Sequence, residues 1–121
     1  MSELLGLPNF RYVEAPYDEY PKYYRAMDVF LSAAAVEGGP IPLLEAMMSN
    51  AVPVAAATGF APDLIEDEKN GFLFPPGAPV ATVAALVESA HSVQVNVRRS
   101  VEHFTWDRFA SQAQELLVGR P

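Results

Sequence analysis

The chain has 121 residues, one domain's worth, with 50% hydrophobic and 19% charged residues and a net charge of -7. That balance is globular rather than disordered. Its acidity argues against a nucleic-acid-binding face and against electrostatic attachment to an anionic membrane. There is no cysteine, which excludes disulfides and thiolate metal sites and is compatible with a reducing compartment. His91 and His103 are too few and too scattered to suggest a metal site. No apolar run approaches the ~18 residues that span a bilayer, and the N-terminus shows no basic-then-apolar signal pattern.

Met1 to Asn9 read as a lead-in. Phe10 to Val13 are apolar enough for a strand, and Ala15 to Asp18 form a turn. Glu19 to Met27 are expected as a helix, with Asp18 as N-cap and Tyr20, Tyr23, Tyr24 and Met27 on one stripe. Pro21 falls in its first turn, where proline is tolerated. Val29 to Ser32 form a short buried strand, and Ala33 to Pro40 form a loop. A helix is expected over Leu43 to Ser49 and a strand over Val52 to Ala55. Thr58 to Pro62 turn into a short helix at Asp63 to Ile65. Lys69-Asn70-Gly71 is a turn before a strand at Phe72 to Phe74. Helices are expected over Pro79 to Ala90, around Val93 to His103 with Val97 and Val101 inward, and over Trp106 to Leu117. Short buried strands alternating with helices imply an α/β fold, a Rossmann-like open parallel sheet with flanking helices. No linker or repeat divides the chain, so residues 1–121 are one domain. Ligands of such sheets sit at the carboxyl ends of the strands, which directs attention to the loops after Val13, Ser32 and Ala55.

The loop after Ser32 carries chemistry. Glu37 and Glu45 stand with seven residues between them. Gly38 and Gly39 leave the backbone accessible, and Pro42 suits the first position of a helix. The N–H groups of Ile41, Leu43 and Leu44 are then expected to point out of a helix start, which favours phosphate. A carboxylate on either side of a phosphate site is electrostatically awkward. It makes sense if each glutamate accepts hydrogen bonds from hydroxyl groups, as a nucleotide sugar provides on both sides of its diphosphate. Taken singly, Glu37 reads as a solvated loop residue and Glu45 as a favourable charge near a helix start.

Glu37-Gly38-Gly39, Glu45-Ala46-Met47 and Pro53-Val54 on the next strand resemble, in order, the signature of the retaining glycosyltransferases of family 4 and their relatives with the GT-B fold. Tyr23 to Phe30 resembles that family's helix–Asp–strand entry. Asp63-Leu64-Ile65 with Asn70-Gly71-Phe72-Leu73, and Phe104-Thr105-Trp106, resemble later segments of it. The likeness runs from about Phe10 to Leu117.

By position, the resemblance implies that Glu45 binds the nucleotide ribose hydroxyls and that Glu37, the catalytic candidate, binds and orients the donor sugar. Gly38 and Gly39 would approach the sugar with backbone groups, Ile41 and Leu43 would offer N–H groups to the phosphates, and the backbone of Val13 to Ala15 would line the base. The substrate implied is a nucleoside-diphosphate sugar, with no cofactor and no metal. The acceptor, a sugar, lipid or other molecule, would be held by a domain outside this chain. The chain departs from the pattern at Pro40 and Asn50, where glycine is usual, at Glu14, and at Asp63, where glutamate is commoner. Nothing upstream of Phe10 supplies the Arg and Lys that neutralise the diphosphate in that family. The resemblance therefore implies a partial, N-terminally truncated donor-binding domain, inactive alone, with a sheet edge open to self-association. It implies a cytoplasmic location, with a full-length parent free to sit at a membrane periphery.

Three functions remain open at this point: a hexosyl-type transferase or a piece of one, a nucleotide-sugar-binding module without turnover, and an interaction domain with a relic pocket. The tyrosines at 20, 23 and 24 are expected to serve as packing and surface cover rather than as a base-stacking platform. Lys69, Arg98, Arg99 and the run Glu66-Asp67-Glu68 are expected in solvent.

Overall fold

A computed structural model describes residues 6–119. A 3-10 turn at Tyr17–Glu19 runs into α1 (Tyr20–Tyr24), followed by β1 (Val29–Ser32), α2 (Ile41–Met48), β2 (Val52–Ala56) and α3 (Ala61–Leu64). Then come β3 (Phe72–Phe74), α4 (Val80–His91), α5 (Arg98–Val101) and α6 (Trp106–Val118). The three strands form a parallel sheet in the order β1-β2-β3, with Val29 opposite Val52 and Val54 opposite Phe72. The α/β, Rossmann-like expectation is met.

β2 is central and buried along its whole length, although Pro53 sits inside it and cannot donate to a ladder. The Val52 N–H donates to Asp28 O on the β1 side, so the missing donor of Pro53 faces β3. Pairing with β3 starts one residue later, at Val54. Gly71 lies opposite the proline ring, and a Cβ there would meet Pro53 Cγ at 2.4 Å. Glycine at 71 is what lets proline occupy a central strand.

Leu43, Met47, Val54, Val97 and Val101 are fully buried and anchor the core. α2 packs against β1, β2 and α5, and α4 lies across all three strands. α2 ends with Asn50 at φ 71°, the left-handed conformation that asparagine tolerates. The Asn50 N–H donates to Met47 O and the Ala51 N–H to Ala46 O, which closes the helix end. Asn50 Oδ1 also accepts from the Arg98 N–H at 3.2 Å and so ties α5 to that end.

Several boundaries differ from the sequence expectation. Phe10 to Val13 form no strand but an exposed segment without regular secondary structure. A strand needs a neighbour to satisfy its backbone, and among the described residues this one has none. The helix expected over Glu19 to Met27 is shorter, and Asp18 lies within the 3-10 turn instead of capping it. The helix expected around Val93 to His103 contracts to α5, while Val97 and Val101 do face inward. The lead-in expected over Met1 to Asn9 lies partly outside the described residues.

Candidate functional site

The carboxyl ends of β1 and β2 open into two loops, 33–40 and 57–60, which brace each other. Thr58 Oγ1 donates to Ala34 O at 3.4 Å. Gly59 has φ 53°, and a Cβ there would lie 2.9 Å from Glu37 O and 3.1 Å from Pro40 Cδ. Gly39 faces the Phe60 ring, 2.8 Å from where its Cβ would be. Packing within the chain therefore explains Gly39 and Gly59. Gly38 is different: nothing lies within 4 Å of a Cβ placed there. Its backbone is bare toward solvent, open to a close approach from outside.

The structure places Glu37 in this loop with its side chain exposed, and Glu45 on α2, half-buried. The intervening turn is tighter than expected. The Ile41 N–H donates to Gly39 O at 2.8 Å, and the Leu43 N–H to Pro40 O at 3.0 Å. Both amides, expected to be free, are engaged within the chain. Pro42 is in the first turn and cannot donate, so the backbone closes around it. The side chain of Leu43 is fully buried and that of Ile41 is 52% exposed.

Glu45 is the most organised polar group of the site. The Tyr24 hydroxyl donates to Glu45 Oε2 at 3.0 Å, and the Tyr17 hydroxyl donates to Oε1. Tyr24 is buried at 8% exposure, while Tyr17 stands at the rim with 69% exposed. Edge-on ring contacts run from Tyr17 through Tyr20 and Tyr24 to Phe30 of β1, with centroids 5.4, 6.4 and 6.2 Å apart. This chain of rings seats the two hydroxyls. Burial, then the bond to Glu45, pushes the Tyr24 phenol well above its ordinary range. The bond to Glu45 raises that of Tyr17. Both phenols therefore stay protonated as donors at neutral pH.

The expectation that Tyr20, Tyr23 and Tyr24 are packing and surface cover is incomplete, because the Tyr24 hydroxyl also donates to Glu45. A missed signal was available in the sequence, because a buried tyrosine needs a partner for its hydroxyl. Val13 and Glu14 are exposed and Ala15 half-buried beside the turn that carries Tyr17. Lys69 bonds Glu66 Oε2 at 2.8 Å on the surface, so its charge is directed there. Two surface depressions lie at the other end of the sheet, where Asp28 and His91 line both. Neither is lined by Glu37 or Glu45. Among the described residues no group of His, Asp and Glu could hold a metal ion, and no helix is long and apolar enough to cross a membrane.

Comparison with known proteins gives a consistent answer. The family model described as "Glycosyl transferases group 1" matches residues 6–102. The sulfoquinovosyl transferase SQD2 of Arabidopsis thaliana is 33% identical over 98 residues, covering 74% of this chain and 19% of that protein. Sucrose-phosphate synthase of Thermosynechococcus elongatus superposes with a TM-score of 0.81 at 24% identity, over 96% of this chain and 31% of that one. The Anabaena protein HepE, solved in complex with UDP-glucose, gives 0.77 at 24% identity, over 97% of this chain and 34% of that one. The chain thus spans between about a fifth and a third of the length of these relatives.

Proposed function

The chain belongs to the glycosyl transferases group 1 family, and on that premise we propose that it is the donor-binding portion of a retaining, hexosyl-type glycosyltransferase. It takes a nucleoside-diphosphate sugar at the carboxyl ends of β1 and β2, and an acceptor bound elsewhere in the whole protein receives the sugar. The observation that carries this reading is Glu45. Its carboxylate is half-buried on the helix that follows a loop bearing Glu37 and the bare backbone of Gly38.

In this reading Glu45 accepts from the ribose hydroxyls. Glu37 accepts from a hydroxyl of the donor sugar and orients it, and Gly38 and Gly39 pass close to that sugar. The segment Val13 to Ala15 flanks the base. The diphosphate sits at the start of α2, where it takes the Ile41 and Leu43 amides from the carbonyls of Gly39 and Pro40. Catalysis rests on positioning and on stabilisation of the leaving diphosphate, with no metal among the groups required. The UDP-glucose complex of HepE, a protein of the same fold, supports a nucleotide sugar as the ligand class. The engaged amides favour a second reading, a module that binds a nucleotide sugar without turning it over.

Ligand-observed NMR titration with UDP-, GDP- and ADP-sugars, beside Glu45→Ala, tests the proposal. Because two amides must first be released, binding is expected to be weak, near ~1 mM or about -4 kcal/mol. Glu45→Ala should abolish the response to the preferred nucleotide. A folded chain that responds to none of the three, or a variant that binds as well as the parent, refutes the reading. We expect no sugar transfer by the 121 residues alone, and measurable transfer overturns that part.

A further inference from the structure

We propose that Tyr24 and Tyr17 are positioning residues that turn Glu45 into a two-point receptor for a vicinal diol; this rests on the reading of Glu45 as the hydroxyl-binding carboxylate. A free glutamate side chain rotates about several bonds, so a ligand that uses both oxygens must first order it. Here the ordering is done in advance. Tyr24 of α1 donates to Oε2 and Tyr17 of the preceding turn donates to Oε1, one hydroxyl on each oxygen from two separate segments.

The count of lone pairs then selects the ligand. An ionised carboxylate offers about four acceptor sites, two on each oxygen. Two are taken, and the pair that remains lies on two different oxygens. With the tyrosines on the outer lone pairs, the two inner ones accept two hydrogen bonds side by side, the pattern offered by hydroxyls on adjacent carbons. Two donors on a single oxygen would have left an asymmetric receptor. A nucleoside ribose presents this cis-diol, while a 2′,3′-dideoxy sugar does not.

The two tyrosines are unequal. Tyr24 is buried and held edge-on against Tyr20 and Phe30, so its hydroxyl is held in place against Oε2. Tyr17 is at the rim and mostly exposed, where water competes for its hydroxyl. Tyr24 therefore carries the larger share of the positioning.

The test titrates whichever of UDP, GDP and ADP binds best, and its 2′,3′-dideoxy counterpart, against the parent chain, Tyr24→Phe, Tyr17→Phe, Glu45→Ala and the double variant Tyr24→Phe/Glu45→Ala. Phenylalanine keeps the rings and removes only the hydroxyls. Tyr24→Phe is expected to weaken the ribonucleotide about tenfold, equivalent to about 1.4 kcal/mol, and Tyr17→Phe about threefold. Neither should change the dideoxynucleotide, and Tyr24→Phe should add nothing once Glu45 is alanine. Equal weakening of both nucleotides by Tyr24→Phe overturns the inference in favour of a structural role. So does unchanged ribonucleotide binding in Tyr24→Phe while Glu45→Ala abolishes it. Binding that survives Glu45→Ala, or no binding by the folded parent, overturns the reading of Glu45 itself and the positioning role with it.

Discussion

Asn70 is the buried polar residue on which the turn before β3 depends. Its Oδ1 accepts from the Glu66 N–H at 2.8 Å, and its Nδ2 donates to Leu64 O at 3.0 Å and to Ser100 Oγ at 2.9 Å. Those bonds seat Gly71 against Pro53, where a Cβ would lie 2.7 Å from the Pro53 carbonyl oxygen as well as against the ring. Gly71→Ala should therefore cost about 1–3 kcal/mol by overpacking, read as a lowered midpoint in urea unfolding. An unchanged midpoint would mean that β3 moves away freely. Tyr24 gives a second prediction at this scale. Its phenol holds its proton more tightly when folded than when unfolded. That contribution is complete below the ordinary tyrosine value of about 10 and is lost as pH rises from there through the folded value. The stability gap between the parent and Tyr24→Phe should stay constant up to about pH 10 and narrow above it. A gap indifferent to pH throughout the alkaline range would show that the hydroxyl is not held this way.

The elements differ in how far they depend on their surroundings. β2 and α2 carry apolar runs that are buried whatever the details of the loops, and both lie within a residue or two of where the pattern put them. α6 depends on its own signals: the Thr105 side chain caps it by accepting from the Arg108 N–H at 3.2 Å, and none of its residues is buried. Its apolar side chains nonetheless lie in the open. Trp106 is 84% exposed, edge-on to Phe109 at 5.8 Å. As the only tryptophan in the chain, it should emit close to free tryptophan in water and be quenched readily by iodide. A blue-shifted, protected emission would show that another surface covers α6. By contrast, Phe10 to Val13 have strand-like composition and, among the described residues, no strand partner, so composition alone misjudged them.

At the scale of the whole molecule, the three parallel strands among the described residues make a narrow sheet. Among the described residues β1 pairs only with β2, and Leu31 on it is 48% exposed. An unpaired edge with apolar side chains invites pairing with another copy. We expect sedimentation of the chain to show association that grows with concentration. A strict monomer at high concentration would mean that this edge is shielded. The site shares this dependence on context. The chain covers 31% of the sucrose-phosphate synthase and 34% of HepE.

The sequence by itself determined the parallel α/β architecture, the inward faces at Val97 and Val101, the left-handed tolerance at Asn50, and the order of Glu37, the glycines and Glu45 in one loop-helix unit. These follow from periodicity and from local backbone limits, which neighbours in the chain fix. Tertiary structure alone decided that Gly39 and Gly59 serve loop packing while Gly38 does not, and that two tyrosine hydroxyls take one oxygen each of Glu45. Those outcomes join residues as far apart as 28 positions, Tyr17 and Glu45. A hydrogen bond needs both groups within about 3 Å and aligned, a condition set only when α1, α2 and β1 have packed together.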